Sequence, residues 1–423
     1  MFILYDIIFI LFAVLYFPYV IIKGKWHAGF WARLGFVGAK DFSRLRSKKN
    51  IWIHAVSVGE VLAIVTLIEE MKQQCPEHQI VVSTVTPTGY ALARQKLSKE
   101  DVIIFAPLDF SWIVRHYAKL IHPEIYVTAE TEIWPNLFLA LSKRGIPVIQ
   151  VNGRISDKAY RRYRRVRFIL KKVLGCVSAF CMQSRTDASK VVALGAPSSK
   201  VQVVGNVKFD GLSATTPYGF ADIGLEDQTP LWVAGSTHPG EEEIVLDVFK
   251  KLKSEFPDLR LLIAPRHVER AGEVAQIVKQ ADLSPVRFSQ IKKASISEDA
   301  VIVVDEIGHL RGLYGLAKIV FVGKSLIGHG GQNILEPAAF GKPIFIGPNM
   351  QNFKDIAQLF LDADAVVQVK DANDLLVQLS HLLNNPQKMD LLSQKAQDLV
   401  QKHQGATAQT LQIIAEFLPE KIK

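Results

Sequence analysis

Short β-branched runs alternate with amphipathic stretches of helical period along most of this chain. After the first run, for example, Val61, Val65, Ile68 and Met71 form an apolar stripe at helical spacing. Such alternation is typical of parallel sheets whose strands are joined by helices. The sequence therefore predicts an α/β fold, with strands of its first half at 51–55, 80–85, 102–105, 125–128, 147–151, 179–182 and 201–204.

The alternation restarts after residues 211–230, a stretch rich in Gly, Pro, Thr and Asp that indicates a linker. A chain of 423 residues has room for two to three domains at roughly 150 residues each. We predict an N-terminal segment at 1–22, a first domain at 23–210 and a second domain, with the C-terminal helices, at 231–423. The second-half strands are predicted at 231–234, 260–263, 300–304, 318–322, 343–346 and 366–369.

The N-terminal segment is apolar from residue 2 to residue 22, apart from Asp6 and Pro18. As a helix it would be roughly 31 Å long, about the thickness of a bilayer core. It lacks the basic start and the small-residue cleavage site of a signal peptide. Basic residues follow it and none precedes it, so we expect a membrane anchor with the rest of the chain facing the cytoplasm. Asp6 leaves open the alternative of a helix buried against the first domain.

The chain carries 50 Lys and Arg against 41 Asp and Glu, and this net charge of +9 favours anionic partners. Much of the excess lies between Arg154 and Lys172, where basic and apolar residues are interleaved. We predict a basic amphipathic helix at 157–174 that binds an anionic membrane. RNA binding is the competing interpretation, and the apolar N-terminus favours lipid. Three cysteines lack any zinc-ligand spacing, so we assign no metal site.

Three carboxylates of the first half lie in loops that follow predicted strands. Glu60 lies in the first turn of a helix, where the helix dipole favours an ionised carboxylate able to accept a proton. Glutamate is also a common residue at helix starts, which is the simpler explanation. Glu130 and Glu132 share one side of an extended segment, although acids there can also be caps. Lys208 follows the last strand and can meet an anion or remain a solvated surface lysine.

Small residues and cations occupy the corresponding loops of the second half. Ser236 and His238 stand between a strand and a helix N-terminus, which suits a phosphate or carboxylate, although His238 can equally be a cap. Arg266 follows the next strand, where a guanidinium can hold a phosphate through two hydrogen bonds or form a surface ion pair.

The glycine-rich loop at 323–337 is the strongest local signal of the second half. Glycines let backbone N–H groups approach an anion closely, and Gly330 and Gly331 are the residues that we assign to this role. Asn333 can cap the following helix, and Glu336 in its first turn can bind sugar hydroxyls. The loop matches neither the dinucleotide-binding nor the P-loop motif, so those classes lose their support.

These motifs resemble the 3-deoxy-D-manno-octulosonate (Kdo) transferases of lipopolysaccharide assembly. The resemblance runs along nearly the whole chain, through GFWARLGF, HAVSVGE, TPTG, ETEIWPN, NGRIS, GNVKFD, GSTHPGEE, APRH and GGQNILEP with GPNMQNFKD. It implies a GT-B architecture of two Rossmann-like domains at the bacterial inner membrane. It also implies transfer of Kdo from CMP-Kdo to the lipid A precursor (lipid IVA), with inversion and with no metal, other cofactor or nucleic acid.

The resemblance also implies roles for individual residues. Glu60 falls on the family's base, Glu130 and Glu132 on its paired acids, and Lys208 on its cleft lysine. In the second half it implies donor contacts by Arg266, Asn333, Glu336 and the glycine loop. Many members have histidine where Gln332 stands and alanine where Gly153 stands, which leaves the details of some contacts open.

Two alternatives share parts of this pattern. A different membrane-associated GT-B enzyme would use a UDP-sugar with the same cleft and anchor. A non-catalytic, membrane-tethered binding protein would keep the basic helix but would not need a carboxylate and two anion sites in one cleft.

Overall fold

The computed structural model describes residues 5–7, 9–11, 14, 29–36, 42, 43, 45, 48–212, 214–291 and 296–418. These residues form two compact units. One unit runs to Gly211 and resumes at Gln404, and the other is Leu212–His403. Within the described residues each unit has one seven-stranded parallel sheet, which confirms the predicted α/β class.

The first unit contains all seven strands predicted for the first half. They are β1 Lys49–His54, β2 His78–Thr84, β3 Val102–Phe105, β4 Pro123–Ala129, β5 Val148–Gly153, β6 Ala179–Met182 and β7 Val201–Val203. The helices are α1 Gly29–Arg33, α2 Val58–Gln74, α3 Pro87–Lys96, α4 Ser111–Ile121, α5 Pro135–Ser142, α6 Asp157–Arg165, α7 Arg167–Leu174 and α8 Arg185–Leu194. Two 3-10 turns follow, Ser198–Lys200 and Val207–Phe209.

The strand order of the first sheet is β3-β2-β1-β4-β5-β6-β7. Its central strands are apolar on both faces because helices cover both sides, and β2 is buried along its whole length. The direction of winding reverses between β1 and β4, and ligands of doubly wound sheets bind at such switch points. The segments that follow β1 and β4, which carry the predicted carboxylates, therefore lie side by side.

Helix α2 carries Glu60 and is held by a continuous apolar face. Its buried apolar residues are Val61, Ala63, Ile64, Leu67, Ile68 and Met71. Each large side chain of this kind contributes about 1.5 to 3 kcal/mol by leaving water. This burial fixes the helix on the sheet and thereby fixes the position of its first turn.

The second unit repeats the architecture. Its strands are β8 Leu231–Thr237, β9 Arg260–Pro265, β10 Ser284–Arg287, β11 Ala300–Val303, β12 Ile319–Val322, β13 Ile344–Ile346 and β14 Val367–Gln368. Its helices are α9 Glu241–Lys253, α10 Ala271–Gln280, α11 Leu310–Tyr314, α12 Leu335–Ala339, α13 Lys354–Asp362, α14 Ala372–Leu383 and α15 Pro386–Lys402. The 3-10 turns are Phe220–Ile223, Val268–Arg270, Phe288–Gln290 and Gln351–Phe353.

The strand order of the second sheet is β10-β11-β9-β8-β12-β13-β14, so its switch point lies between β8 and β12. The predicted small-residue loop follows β8 and the glycine-rich loop follows β12. The sequence pattern missed β10, a four-residue edge strand that contains Pro285. Proline is tolerated there because an edge strand has one unpaired side.

The compact units differ from the predicted domain bounds in two places. The segment predicted as a linker belongs to the second unit, where Ile223 and Leu225 are buried. The last helix, α16 Ala406–Ala415, belongs to the first unit rather than the second, because its apolar residues join the core of the first sheet. Those residues are Leu411, Ile413 and Ile414, followed by Leu418.

Most of the predicted anchor at 1–22 lies outside the described residues. Asp6 is described and is buried, and its Oδ1 accepts hydrogen bonds from Ser111 N at 3.0 Å and Asn136 Nδ2 at 2.7 Å. Phe9 packs against Phe110 with ring centroids 4.8 Å apart. Within the part of the chain that the structure describes, no helix has the length and apolar character needed to cross a membrane.

The basic segment forms two helices rather than the predicted single helix at 157–174. Helix α6 buries none of its residues, whereas α7 buries Leu170, Val173 and Leu174. Val166 separates them with φ −114° and ψ 21°. One side of α6 packs against the core without being fully buried, through Ala159, Tyr160 and Tyr163, and after the break the apolar side of α7 reaches the same core.

Candidate active site

Glu60 is held by the loop that joins β1 to α2. Its Oε2 accepts from Val56 N at 2.9 Å and its Oε1 from the Ser57 hydroxyl at 3.0 Å. Ser57 stands at the N-cap position, but its hydroxyl donates to Glu60 instead of accepting from the helix. The carboxylate reaches back over the helix start much as a capping-box glutamate does. Its side chain is therefore fixed before any substrate binds.

Glu130 and Lys208 form an ion pair in the neighbouring part of the first unit. Lys208 Nζ donates to Glu130 Oε1 at 3.2 Å, and both side chains are half-buried. Glu130 has φ 53°, a left-handed backbone conformation that costs a non-glycine residue of order 1 to 3 kcal/mol. Such strain concentrates at functional sites, and here it lies directly after β4 at the switch point.

Glu132 experiences the charge of the same cluster. Burial raises its pKa to about 7, and the negative charges of Glu60 and Glu130 add to that shift. Burial likewise raises the pKa of Glu60, opposed by its hydrogen bond from Val56 N. The helix dipole, which we predict to favour the ionised form of Glu60, acts in the opposite direction to burial. A raised pKa makes Glu60 a stronger proton acceptor once it is ionised.

The raised pKa of Glu132 predicts that the free energy of unfolding falls as pH rises. Because the folded state holds the Glu132 proton up to about pH 7, it binds more protons than the unfolded chain between roughly pH 4.5 and 7. Across that pH window the loss of unfolding free energy due to Glu132 approaches about 3 kcal/mol. We expect Glu132→Gln to remove most of this decline in urea unfolding measured from pH 5 to 8. The unfolding free energy of Glu100→Gln, a control substitution at an exposed site, should fall with pH as that of the parent does. If Glu132→Gln keeps the parent's full decline of unfolding free energy with pH, Glu132 is not the group responsible for that decline.

Sequence reasoning missed the residues that position Lys208. Asn152, with φ 52°, accepts from Val207 N at 3.3 Å, and Asn206 Oδ1 accepts from Lys208 N at 3.0 Å. Asp210 accepts from two amides at the start of α16, at 2.7 and 2.6 Å. The NGRIS and GNVKFD motifs contain these residues, but the partners of Asn152 and Asp210 are distant in sequence.

His54, at the end of β1, is a second residue that the sequence did not single out. Trp52 Nε1 donates to Ser83 Oγ at 2.8 Å, and the Ser83 hydroxyl lies 2.9 Å from His54 Nδ1. Burial, with the nearby Arg33 charge, lowers the pKa of His54 to about 3. The imidazole is therefore neutral, with its proton on Nε2 if the Ser83 hydroxyl donates to Nδ1.

In the second unit, His238 lies where predicted, between β8 and α9, whereas Ser236 is the last residue but one of β8 itself. Ser236 has φ 57°, and its carbonyl oxygen lies 3.2 Å from His238 Nδ1. The rings of His238 and His267 lie 6.0 Å apart. Burial lowers the pKa of His238, and the charges of Lys324 and His267 lower it further. The strained backbone and neighbouring cations again lie at a switch point.

Arg266 directly follows β9 and has an exposed side chain. Its backbone N–H donates to Thr237 O at 3.0 Å, which ties it to the end of β8. The positive charges of Arg311 and Arg266 act on Glu336, although burial is the larger influence and raises the pKa of that carboxyl. The structure thus brings Arg266 and Glu336 within electrostatic reach of one another, as the sequence suggested.

The amides of the glycine-rich loop are used inside the protein. Glu241 is fully buried, and its Oε1 and Oε2 together accept from the amides of Lys324, Ser325 and Leu326 at 2.6 to 3.0 Å. It also accepts from His238 N at 3.0 Å. The sequence predicts that the backbone N–H groups of this loop bind the anion of a ligand. At Lys324, Ser325 and Leu326, however, these groups already bind the carboxylate of Glu241.

Gly330 and Gly331 serve the geometry of the same loop. Gly330 has φ 139° and Gly331 φ 71°, where a side chain would be strained. Their N–H groups donate to Gln351 Oε1 and Lys324 O, both at 2.8 Å. This bonding does not agree with the predicted role of these two amides in anion binding.

Asn333 and Glu336 are paired at the start of α12. Asn333 Oδ1 accepts from Leu335 N at 3.1 Å, but the N-cap position of α12 is Ile334 and no side chain caps the helix, so the predicted Asn333 cap is wrong. Its Nδ2 donates to Glu336 Oε1 at 3.3 Å. Among the residues that the structure describes, no group of three or more His, Cys, Asp or Glu side chains is arranged to hold a metal ion.

Residues 28–211 match the sequence profile of a family described as 3-deoxy-D-manno-octulosonic-acid transferase (kdotransferase). A 3-deoxy-D-manno-octulosonic acid transferase of Haemophilus influenzae is 31% identical over 380 residues, covering 88% of each chain. This chain belongs to the Kdo transferase family. It is therefore a glycosyltransferase.

Two further comparisons concern another relative and the fold. A bifunctional glycosyltransferase/methyltransferase of Fusobacterium nucleatum is 36% identical over 82% of this chain, and the chain spans about half of that relative, 54% of its length. A solved glycosyltransferase from Rickettsia africae matches 88% of this chain and all of its own length, with TM-score 0.56 and 13% identity. That likeness concerns the fold alone, which is the predicted GT-B architecture.

Proposed function

We propose that this protein transfers Kdo from CMP-Kdo to the lipid A precursor in lipopolysaccharide synthesis, with inversion at the sugar. The observation that carries the proposal is the cluster of Glu60, Glu130 and Glu132 with Lys208 at the switch point of the first sheet. It occurs in a chain of the Kdo transferase family. Carboxylates that bind hydroxyls and accept a proton are what glycosyl transfer to a sugar alcohol requires.

In the proposed reaction, Glu60 takes the proton of an acceptor sugar hydroxyl. That oxygen forms a bond to the anomeric carbon of Kdo, and the bond from this carbon to the CMP oxygen breaks with its electron pair leaving on CMP. The hydrogen bonds from Val56 and Ser57 hold Glu60 in place for this step. Glu130, anchored by Lys208, and Glu132 contribute acceptors for the remaining hydroxyls.

The second unit supplies the proposed donor site. CMP-Kdo carries a phosphate and a sugar carboxylate, so its site needs cations. His238, Arg266, His267 and Lys324 follow β8, β9 and β12, and Ser236 lies at the end of β8, so all of them surround the second switch point. Because several loop amides are bonded internally, we assign recognition of the phosphate mainly to the side chains, above all to the exposed guanidinium of Arg266.

Incubation of the purified protein with CMP-Kdo and lipid IVA tests this proposal directly. Mass spectrometry is expected to detect acceptor molecules whose mass has increased by one or more Kdo units, and to detect none when CMP-Kdo is omitted. Thermal shift with CMP and UDP provides a second measurement, in which CMP is expected to stabilise the protein more. Stabilisation by UDP alone, with no Kdo product, would favour the UDP-sugar alternative.

We further propose that the protein works at the bacterial inner membrane with its catalytic units on the cytoplasmic side. Large apolar side chains exposed in the first unit support this location, namely Ile7, Ile10, Leu11, Val14, Trp31, Phe36, Trp112 and Phe168. Phe168 is 78% exposed beside the arginines of α6 and α7, a combination suited to an anionic lipid surface.

The basic helices are expected to contribute to membrane binding. Phe168→Ser combined with Arg164→Gln should lower co-sedimentation with phosphatidylglycerol vesicles several-fold, since both an apolar and an electrostatic contribution are lost. Arg260→Gln, in the second unit, serves as the charge-matched control. Equal sedimentation of both variants with vesicles would reject this surface, and retention on RNA instead would favour the competing interpretation.

A further inference from the structure

Arg33 is a cation in the first unit that no function described above uses. It ends α1, and its Nε donates to Ala106 O at 3.1 Å. Ala106 directly follows β3, so the guanidinium lies at the carboxyl edge of the first sheet. This is the edge that also carries Glu60, Glu130 and Glu132.

The guanidinium has no acidic partner among the described residues. Its Nε bond to Ala106 is to a neutral carbonyl, and no described carboxylate lies within ion-pair distance of its Nη atoms. Its neighbours are neutral groups, the buried His54 imidazole and the Tyr117 phenol, whose hydroxyl donates to Ala32 O. Burial lowers the pKa of Arg33.

An uncompensated, partly buried guanidinium costs free energy unless a ligand completes its hydrogen bonds. Its two NH₂ groups, which have no hydrogen-bond partner among the described residues, present the planar fork that binds phosphate oxygens in a bidentate manner. The fixed Nε bond orients this fork before a ligand arrives. The site therefore has the chemistry of a preformed phosphate receptor.

The surroundings of Arg33 suit an amphiphilic ligand. Trp31 and Phe36, two and three residues away, are both exposed, and their rings lie 5.7 Å apart. Exposed aromatic rings beside a cation are typical of sites that meet a lipid next to its charged head. A soluble anion such as free phosphate would gain nothing from these rings.

We propose that Arg33 binds a phosphate monoester group of the acylated sugar acceptor. The proposal rests on the function proposed above. Strand β3 lies two positions from β1, so the Arg33 site is about 10 Å from the loop that holds Glu60. One end of a phosphorylated disaccharide would be held by Arg33 while a hydroxyl farther along it lies at Glu60.

Steady-state kinetics with matched acceptors test the proposal. The substrates are the bisphosphorylated lipid A precursor and its two monophosphorylated forms, in detergent micelles that contain no phospholipid. Arg33→Gln is expected to raise the acceptor KM of the bisphosphorylated substrate tenfold or more, with kcat and the donor KM nearly unchanged. For the monophosphorylated form that lacks the bound phosphate, parent and variant should have the same KM.

Further variants distinguish binding from folding. Arg33→Lys keeps the charge without the fork and should have an intermediate KM, while Arg260→Gln should match the parent. Even if Arg33→Gln does not fold, the parent protein itself must discriminate between the acceptors, with a higher KM when one phosphate is removed. Equal KM values of the parent for all three acceptors would overturn the proposal.

Vesicle binding separates the acceptor phosphate from a phospholipid headgroup. Arg33→Gln should sediment with phosphatidylglycerol vesicles as the parent does. A loss of sedimentation without a change in acceptor KM would assign Arg33 to the membrane surface and reject the acceptor site. If the parent transfers no Kdo to any acceptor, the proposed function itself fails. If the parent transfers Kdo but Arg33→Gln has the same ratio of acceptor KM values for the monophosphorylated and bisphosphorylated substrates as the parent, only the assignment of Arg33 fails.

Discussion

Replacing Glu60 with glutamine is expected to lower turnover by about 10² to 10⁴-fold, which is the usual contribution of a positioned general base. The amide cannot accept the proton of the attacking hydroxyl at neutral pH. Its carbonyl can still accept from Val56 N, and the Ser57 hydroxyl can rotate to accept from the new amide. The fold of the first turn should therefore persist, so the loss is chemical rather than structural.

Turnover of CMP-Kdo by Glu60→Gln can be measured with saturating donor and acceptor, alongside CMP affinity by calorimetry. Affinity for CMP should stay within about twofold because the cations proposed to bind it lie in the second unit. Glu69→Gln is the matched control, since Glu69 lies on the same helix and is exposed. Near-normal turnover by Glu60→Gln would remove it from the role of base.

The sheets were predictable because their signal is local. Buried parallel strands require short β-branched runs, and these runs identified thirteen of the fourteen described strands, all except β10. The segments that carry Glu60 and Glu130, the first turn of α2 and the loop after β4, could be recognised because each closely follows a strand. Their closeness in space follows from the pairing of β1 with β4, a consequence of the doubly wound topology.

Features that depend on contacts distant in sequence could not be predicted. The return of α16 to the first unit depends on Leu411, Ile413 and Ile414 finding the core of a sheet formed more than 200 residues earlier. No glycine or proline near Val166 indicates that the helix breaks there. The sequence places Arg33 in the GFWARLGF motif and among the basic residues after the apolar segment but assigns it no role, since nothing local indicates that it lacks an acidic partner.

Glu241 is the clearest example of a functional contact hidden from the sequence. In GSTHPGEEE it is one of three successive glutamates at the start of α9, all suited to a helix N-terminus. Only the structure separates them. Glu243 is exposed, whereas Glu241 has no exposed surface and binds amides 83 to 85 residues later in the chain.

Glu241→Ala is accordingly expected to lower the free energy of unfolding of the second unit by about 3 kcal/mol or more. The substitution leaves the buried N–H of Ser325 and the part-buried N–H groups of His238, Lys324 and Leu326 without this acceptor, and a fully buried unsatisfied donor costs about 1 to 3 kcal/mol. Glu241→Gln should cost less than alanine but remain destabilising, because one of its two terminal atoms becomes a donor facing other donors.

Equilibrium urea unfolding and amide hydrogen exchange together test this expectation. Peptides spanning 323–331 should exchange faster in Glu241→Gln, and CMP affinity should fall because the loop that carries Lys324 loses its internal anion. Glu243→Gln is the matched control, because it makes the same substitution at an exposed position of the same helical turn. It should change the free energy of unfolding by no more than about 0.5 kcal/mol. If Glu241→Ala unfolds at the parent's urea concentration with the loop still protected, the loop amides have another acceptor. The ordering of the donor loop would then depend on its glycines and on Gln351 rather than on a buried carboxylate.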